Sequence, residues 1–516
     1  MPKRKTKTET PLTTSQQLGA LINSARKIMR KDKGLNGDLD RLPLLTWIMF
    51  LKFLDDLEQQ RQEEATLAGT AFKPAIEAPY RWRDWAADPQ GITGDELLAF
   101  INNEETTGPD GKKREGLFHY LRGLSSSNGD GRRDVIATVF KGVDNRMKSG
   151  YLLRDVINKV GGIHFTSTEE LHTLGMLYES MLREMRDAAG DSGEFYTPRT
   201  VVRFMVQMTD PRLGEAVLDP AAGTGGFLVE AFKHLQEQVR TVEDRRTLQR
   251  DSLYGGEPKP LPYLLCQMNL LLHGLDAPQI DPGNSLRHKL TEIGEKERVD
   301  VILTNPPFGG EEEKGIQGNF PEDMRIAETA LLFMQLIMRK LRKATGRAGR
   351  PARAAVVVPN GTLFGDGVCA RIKHELLTEF NLHTIVRLPP GVFAPYTDIE
   401  TNLLFFERGK PVSELWYYEI PLPEGRKKFT QTAPLGYAEF DDCQAWWTKR
   451  VENERAWKVP VSELIANGCN LDRKNPCAKA GMAHLPPTEL AASIVRKEQR
   501  IAAIMEQIQE LLKEEA

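Results

Sequence analysis

The chain has 516 residues, which is more than one ordinary hydrophobic core accommodates, so we expect roughly two or three domains. Its 40% hydrophobic and 27% charged residues are normal for a globular protein, and its formal net charge of −3 excludes a generally basic nucleic-acid coat. Any contact with DNA must therefore come from a local patch or from a partner. The five cysteines include no C-x-x-C pair, which indicates reduced, structural thiols, a cytoplasmic protein and no zinc site.

The N-terminal third of the chain is predicted to be helical. Residues 1–14 are basic with no apolar run after them, which indicates a flexible tail and not a secretory signal. From residue 15 to 184, apolar residues recur at helical spacing. The most apolar segment, Leu44–Asp56, is only about half as long as a membrane span, so we expect a buried helix. The run Pro79–Ala86 permits base stacking, but a tryptophan-anchored core is favoured.

The pattern changes in the second part of the chain. Between residues 185 and 410, short apolar strands alternate with helical stretches, which predicts a mostly parallel sheet with helices on both faces. Such sheets bind ligands at the carboxyl ends of their strands. Residues 411–480 form a mixed, aromatic extension. Residues 481–516 are predicted to form a helix that docks on a partner or packs on its own domain.

The stretch "AVLDPAAGTGGFLVEAF" predicts a strand, a glycine-rich turn and a helix. Gly223 and Gly225 let the backbone turn sharply and approach a ligand, and the helix start offers free N–H groups. Asp219 closes the strand and can accept hydrogen bonds. Glu257 ends the next predicted strand, where an acid is suited to binding a ribose diol. Because no Walker A lysine is present, a nucleoside without phosphates is favoured over ATP.

Just upstream, "GDSGEFYTPRTVVRFMV" predicts a capped helix. Thr197 is expected to be the N-cap residue and Pro198 to lie in the first helical turn. The free N–H groups at this helix start can bind the carboxylate of a ligand. The alternative is an ordinary capped helix without a ligand.

The stretch "DVILTNPPFGG" predicts a buried strand that stops at Asn305. Two consecutive prolines cannot continue a strand, because neither has an N–H to donate. The result is either a common strand-ending turn or a pocket that combines stiff backbone, an amide side chain and an aromatic face.

In the order F-Y-T-P-R, D-P-A-A-G-T-G-G, Glu257 and N-P-P-F, these motifs resemble those of the amino-group DNA methyltransferases. More closely, residues from about Leu18 to Arg408 are similar to the modification (HsdM-type) subunits of type I restriction–modification systems. The resemblance implies an α/β fold. A helical N-terminal domain (15–184) is followed by a Rossmann-like, seven-stranded S-adenosylmethionine-dependent methyltransferase domain (185–410), the mixed extension and a C-terminal helical tail (481–516).

The resemblance also implies methyl transfer from S-adenosyl-L-methionine to N6 of a flipped adenine in DNA, with no metal. The implied catalytic residues are Asn305, Pro306, Pro307 and Phe308. The implied cofactor-binding residues are Glu194, Phe195, Tyr196, Thr197, Pro198, Arg199, Asp219, Gly223, Thr224, Gly225, Glu257 and Asn284. Many related enzymes have an acid after the third strand, where this chain has Asn284 preceded by Asp281, so the residue that contacts the cofactor's adenine is left open between these two.

The implied partners are double-stranded DNA, a specificity (S) subunit that supplies sequence recognition and a restriction (R) subunit, with two modification subunits per S and no membrane. Two alternatives remain at this point, a protein glutamine-amide N-methyltransferase and a non-catalytic assembly scaffold. Residues 309–323 are expected to form either a lid or a disordered surface loop. Residues 339–354 carry seven Arg or Lys and either bind a phosphate backbone or form a solvated helix end.

Overall fold

The computed structural model describes residues 15–107, 111–125, 131–163, 197–343, 349–394 and 397–477. Three sets of predictions lie outside the described residues: the N-terminal tail (1–14), the cofactor residues Glu194, Phe195 and Tyr196, and the C-terminal helix (481–516).

One long helix forms the centre of the N-terminal region. The segment Leu44–Asp56 lies within it, and Trp47 and Phe50 are fully buried there, which confirms the predicted buried helix. Lys52 is buried in the same helix and forms an ion pair with Asp56, so its charge is neutralised locally. The helices of this region are α1 (Ser15–Met29), α2 (Asp38–Leu67), α3 (Trp82–Trp85), α4 (Gly94–Asn102), α5 (Leu117–Arg122), α6 (Arg132–Lys141) and α7 (Gly150–Gly161). A small hairpin joins β1 (Glu105–Thr107) to β2 (Lys113–Glu115).

The tryptophans of the segment Pro79–Ala86 belong to the core. Trp82 and Trp85 are 3% and 7% exposed, and their rings meet edge to face with centroids 5.7 Å apart. Neither ring presents an open face to a base. The interpretation as a tryptophan-anchored core is confirmed.

The second part of the described chain is organised around one large sheet. Its strands are β3 (Val217–Asp219), β4 (Leu253–Gly256), β5 (Gln279–Asp281), β6 (Val301–Thr304), β7 (Arg353–Pro359), β8 (Asn381–Arg387), β9 (Thr401–Glu407), β10 (Glu414–Glu419) and β11 (Ala456–Pro460). Their order across the described sheet is β11-β10-β8-β9-β7-β6-β3-β4-β5. Pairing is parallel except for β9, which runs antiparallel to β7 and β8, and β11, which runs antiparallel to β10.

The predicted domain of residues 185–410 contributes seven of these strands, β3 to β9. The mixed extension completes the same sheet, because β10 adds to β8 with Trp416 opposite Thr384. Tyr417 and Tyr418 on β10 are buried. These two aromatic residues of the extension are therefore core residues. β5 has no apolar run that would predict it, because only Ile280 of its three residues is buried.

Alternate residues of the central strands belong to two different hydrophobic cores, each of which includes helix residues, as predicted for a sheet with helices on both faces. The helices of this part of the described chain are α8 (Arg199–Thr209), α9 (Gly226–Gln236), α10 (Val242–Asp251), α11 (Pro260–Leu272), α12 (Lys314–Gln317), α13 (Thr329–Lys340), α14 (Asn360–Phe364), α15 (Val368–Glu379), α16 (Asp441–Thr448) and α17 (Val461–Ala466). Single turns of 3-10 helix occur at Leu290–Glu292, Glu295–Glu297, Glu322–Met324 and Ala438–Phe440.

The sheet topology brings four strand ends to one edge. β3 pairs in parallel with both β4 and β6, and β4 pairs in parallel with β5. The carboxyl ends of β3, β4, β5 and β6 therefore lie side by side, and the motifs that follow them can share one site.

Within the described ranges, no helix is long and apolar enough to cross a membrane. The same part of the chain contains no cluster of three or more side chains suited to hold a metal ion.

Candidate active site

The glycine-rich turn after β3 has the backbone that the sequence predicts. Gly223 and Gly225 have φ values of +54° and +80°, in the left-handed region that favours glycine. A Cβ on Gly225 would lie 2.8 Å from the Cys266 sulfur, so a side chain is excluded there by packing as well as by backbone conformation. The turn leads into α9, and the carbonyl of Thr224 accepts a hydrogen bond from Asn269 at 2.9 Å. The turn is therefore rigid and closely packed.

Glu257, which follows β4, holds this turn from the side. One carboxylate oxygen accepts the Gly223 N–H at 2.9 Å, and the other accepts the Lys259 N–H at the same distance. The side chain is 8% exposed. A carboxylate is acceptor-only and has about four lone-pair sites, so its chemistry suits a hydrogen bond from the hydroxyl of a ligand.

Asp219 connects the turn to β6. Its side chain is 1% exposed and accepts the Thr304 hydroxyl at 2.7 Å and the Ala221 N–H at 3.1 Å. Removal from water raises the pKa of the Asp219 carboxyl to about 7. Through the Thr304 bond, Asp219 links the end of β3 to the end of β6. The contact of Asp219 with a cofactor stays a prediction.

Asp281 and Asn284, the two candidates for contact with the cofactor's adenine, both make internal bonds. The Asp281 carboxylate accepts the Gly283 N–H at 2.9 Å and pairs with Arg287. The oxygen of Asn284 accepts the Leu286 N–H at 2.9 Å, and its amide nitrogen lies 3.3 Å from the Glu312 carboxylate. Asn284 is half-buried and Asp281 is exposed, and each side chain has two partners within the protein, so the choice between them stays open.

The start of α8 differs from the prediction. The helix begins at Arg199 with Pro198 as its N-cap residue, so the prediction that the Thr197 side chain caps it is wrong. The hydroxyl of Thr197 instead accepts a hydrogen bond of 2.9 Å from the amide nitrogen of Asn305. Arg199 points across to α9 and donates to the Gly226 carbonyl at 3.4 Å. The F-Y-T-P-R and N-P-P-F motifs therefore meet in space.

Asn305 follows β6 as predicted, and its two amide atoms have different environments. The nitrogen is bonded to Thr197, whereas the oxygen is buried and has no hydrogen-bond partner among the described residues. Pro306 is buried and Pro307 half-buried, so the backbone after Asn305 is held by packing as well as by its rings. A buried acceptor without a partner is uncommon in a folded protein and indicates a site for a missing donor.

Phe308 is located beside Asn305 in the chain but does not present an open ring. Its side chain is 4% exposed and meets Phe393 with centroids 6.4 Å apart and ring planes at 64°. Because so little of Phe308 is exposed, a base can stack on its ring only after neighbouring side chains move. Sequence reasoning missed Phe393, although its position in "LPPGVF" directly after a strand was a usable signal.

The segment 309–323 is folded, so the interpretation as a disordered surface loop is wrong. It contains α12, and Phe320 is buried at its end. Asn319 fastens it to the chain after β5, because its carbonyl accepts the Leu290 N–H at 3.0 Å and its side chain donates to the Leu286 carbonyl at 2.9 Å. The segment is anchored between the strand ends that form the site.

All four described arginines of the basic stretch 339–354 have carboxylate partners within the protein; residues 344–348 lie outside the described ranges. The ion pairs are Arg339–Glu375 at 2.8 Å, Arg342–Asp300 at 3.1 Å, Arg350–Asp210 at 3.2 Å and Arg353–Glu215 at 2.8 Å. These guanidinium groups already have carboxylate partners. The prediction that the stretch binds a phosphate backbone therefore finds no support in them.

Comparison with known proteins gives consistent matches. The family model described as N-6 DNA Methylase matches residues 169–484, and the model of the HsdM N-terminal domain matches residues 18–160. The type I restriction enzyme EcoEI methylase subunit of Escherichia coli is 46% identical over 505 residues, which cover 96% of this chain and 97% of that protein.

Two solved structures are similar over nearly the whole chain. One, from Vibrio vulnificus YJ016, is assigned as a modification subunit of a type I restriction enzyme. It is 69% identical with a TM-score of 0.86, and the match covers 91% of this chain and 99% of that chain. A second chain, from a study of complex assembly and conformational transition in a type I restriction–modification system, is 41% identical. Its TM-score is 0.69, and the match covers 98% of this chain and 99% of that one.

Proposed function

Because the chain belongs to the N-6 DNA methylase family, and within it to the modification subunits of type I restriction enzymes, we propose that Asn305–Phe308 form its methyl-acceptor site. Proteins of this group are adenine-specific DNA methyltransferases (EC 2.1.1.72). The proposed reaction transfers a methyl group from S-adenosylmethionine to N6 of an adenine extruded from DNA. The observation that carries it is the buried oxygen of Asn305, which has no partner among the described residues.

The turn after β3 fits the cofactor that the family uses. Gly223, where an added Cβ would meet no atom within 4 Å, leaves room for close approach to the start of α9, and the Glu257 carboxylate beside it is suited to accept a hydrogen bond from a ribose hydroxyl. We therefore assign cofactor binding to Gly223, Thr224, Gly225 and Glu257. Pro198, Arg199, Asp219, Asn284 and the undescribed Glu194, Phe195 and Tyr196 stay as predicted contacts. When bound, S-adenosylmethionine supplies an electrophilic methyl group.

The acceptor geometry suits an aromatic amine. Adenine's exocyclic nitrogen is a weak nucleophile, because its lone pair is delocalised into the ring. The Asn305 oxygen and the Pro306 carbonyl accept hydrogen bonds from its two N–H groups, which favours a more pyramidal nitrogen and stabilises the positive charge that develops. The rings of Pro306 and Pro307 stiffen the backbone and keep these acceptors in place before the reaction. No strong base is required, since the amine proton becomes acidic after methyl transfer and is lost to solvent.

The target base must leave the DNA helix before it can reach this site. Extrusion costs a few kcal/mol, and stacking on an aromatic ring returns about 1–3 kcal/mol. Phe308 is assigned this stacking role. Because the Phe308 ring contacts the Phe393 ring, we propose that the two rings separate when the base enters.

The partners follow from the family and from the charge of the chain. A net charge of −3 does not favour tight binding of DNA by this subunit alone. We propose that a separate specificity subunit supplies sequence recognition, that two modification subunits bind one specificity subunit, and that a restriction subunit joins them on double-stranded DNA in the cytoplasm. The predicted domain limits (15–184, 185–410, 411–480 and 481–516) and the docking role of the last segment are part of this proposal.

The experiment that tests the function identifies the methylated product. The full chain is co-expressed with a candidate specificity subunit, purified as the complex and incubated with methyl-labelled S-adenosylmethionine and DNA. We expect label in N6-methyladenine after digestion to nucleosides. Label in protein glutamine would establish the alternative amide methyltransferase, and an assembled complex without label in either product would establish a scaffold.

A further inference from the structure

The orientation of the Asn305 amide decides whether the proposed reaction is possible. The target amine brings two N–H donors, so the atom that faces it must be an acceptor. If the amide were rotated by half a turn, its NH2 group would face the amine, donor against donor, and no hydrogen bond would form. Some other group must therefore select one orientation before the base arrives.

Thr197 is the group that contacts the amide. Its hydroxyl lies 2.9 Å from the Asn305 nitrogen, and the two residues are 108 positions apart in the chain. Because α8 begins at Arg199 with Pro198 as the N-cap residue, the Thr197 hydroxyl has no part in capping that helix. It is available to accept from Asn305.

The alternative orientation is less favourable within the protein as well. As observed, one amide proton is bonded to Thr197, and one acceptor is buried without a partner in the described chain. After rotation, the Thr197 hydroxyl would donate to the amide oxygen, but both amide protons would lie where that acceptor now lies, without a partner among the described residues. Buried N–H donors are left unpaired less readily than carbonyl oxygens, so the observed orientation is preferred.

We propose that Thr197 is a positioning residue for methyl transfer, whose hydroxyl holds the Asn305 oxygen toward the amine of the target base. This inference rests on the proposed function. The resemblance implies that Thr197 contacts the cofactor, whereas the role proposed here places its hydroxyl in the methyl-acceptor half of the site.

The test compares Thr197→Val, which keeps the shape but removes the hydroxyl, with Thr197→Ser, which keeps the hydroxyl. Single-turnover methyl transfer is measured with the complex of full chain and specificity subunit at saturating cofactor, and the Kd for S-adenosylmethionine is measured by calorimetry. We expect Thr197→Val to lower the rate about tenfold to a hundredfold, through loss of the bias between the two amide orientations. Thr197→Ser is expected to stay within about threefold of the wild-type rate, and both variants are expected to keep the wild-type Kd.

Several outcomes would overturn the inference. A raised Kd with an unchanged rate in Thr197→Val would make Thr197 a cofactor ligand only. Equal loss of rate in both variants would show that the packing of Thr197, and not its hydroxyl, sets the rate of methyl transfer. If Thr197→Val does not fold, Thr197→Ala is measured in its place. An inactive Asn305→Ala beside a normal Thr197→Val would refute this inference alone, whereas a normal Asn305→Ala would refute the proposed site itself.

Discussion

The two halves of the candidate site differ in how completely their polar groups are satisfied. In the half that follows β3 and β4, Glu257 accepts two backbone N–H groups and Asp219 accepts a hydroxyl and an N–H. In the half that follows β6, the Asn305 oxygen is buried without a partner in the described chain, and Phe308 is covered by Phe393. The polar groups of the proposed cofactor half are therefore paired within the protein, whereas the proposed base half contains a buried acceptor for which the described part of the chain supplies no donor.

Loss of the unsatisfied acceptor should have the largest effect. We expect Asn305→Ala to lower methyl transfer about 100- to 1000-fold, as for the loss of one preorganised group that stabilises developing charge. Cofactor affinity should stay unchanged, because Asn305 lies in the other half. Single-turnover rates and calorimetric Kd values of the complex check both statements, with the exposed Asn102→Ala as control. Normal methylation by Asn305→Ala would remove the contrast between the halves.

Gly225→Ala tests whether the cofactor half is rigid. The change combines a left-handed φ of +80° with a Cβ 2.8 Å from the Cys266 sulfur, and we expect a loss of about 2–4 kcal/mol in the free energy of unfolding. Gly69→Ala is the matched control, because Gly69 has a φ of +66° with no atom within 4 Å of an added Cβ. It should cost only about 1–2 kcal/mol in urea unfolding. Equal losses would mean that the turn is not closely packed.

Glu257→Gln should weaken the cofactor half without destroying it. The new NH2 group must face one of the two backbone N–H donors, so one hydrogen bond is lost and the turn is less well held. We expect the Kd for S-adenosylmethionine to rise about tenfold, which is the equivalent of one net hydrogen bond. Calorimetry checks this, with Glu243→Gln on the exposed surface of α10 as control. An unchanged Kd would separate Glu257 from cofactor binding.

The effect of Asp219→Asn on stability should depend on pH. Burial raises the pKa of Asp219 to about 7, so the native state keeps a proton that the unfolded chain releases at lower pH. This group therefore lowers the stability of the wild type as pH rises from about 4 to about 7. Asparagine can still accept from Thr304 and Ala221 but does not titrate, so the variant should gain stability relative to wild type across that window. Urea unfolding at several pH values measures the difference, with the exposed Asp251→Asn as control.

The order of the motifs, the mostly parallel sheet and the buried helix at Leu44–Asp56 could be predicted from the sequence. These features depend on local signals, which are runs of apolar residues, their spacing, and glycine or proline at the ends of strands. The left-handed glycines of the turn and the end of β6 at Asn305 follow from the same kind of signal. Each of them is decided within a few residues of chain.

Tertiary structure decided what each motif contacts. The bond between Thr197 and Asn305 joins residues 108 positions apart, and the ion pair of Arg353 with Glu215 joins residues 138 apart. Whether Phe308 is open or covered depends on Phe393, and whether β10 is an irregular extension or a strand depends on the free edge of β8. Local patterns cannot specify such pairs, because the energy that favours them exists only when distant segments are packed together.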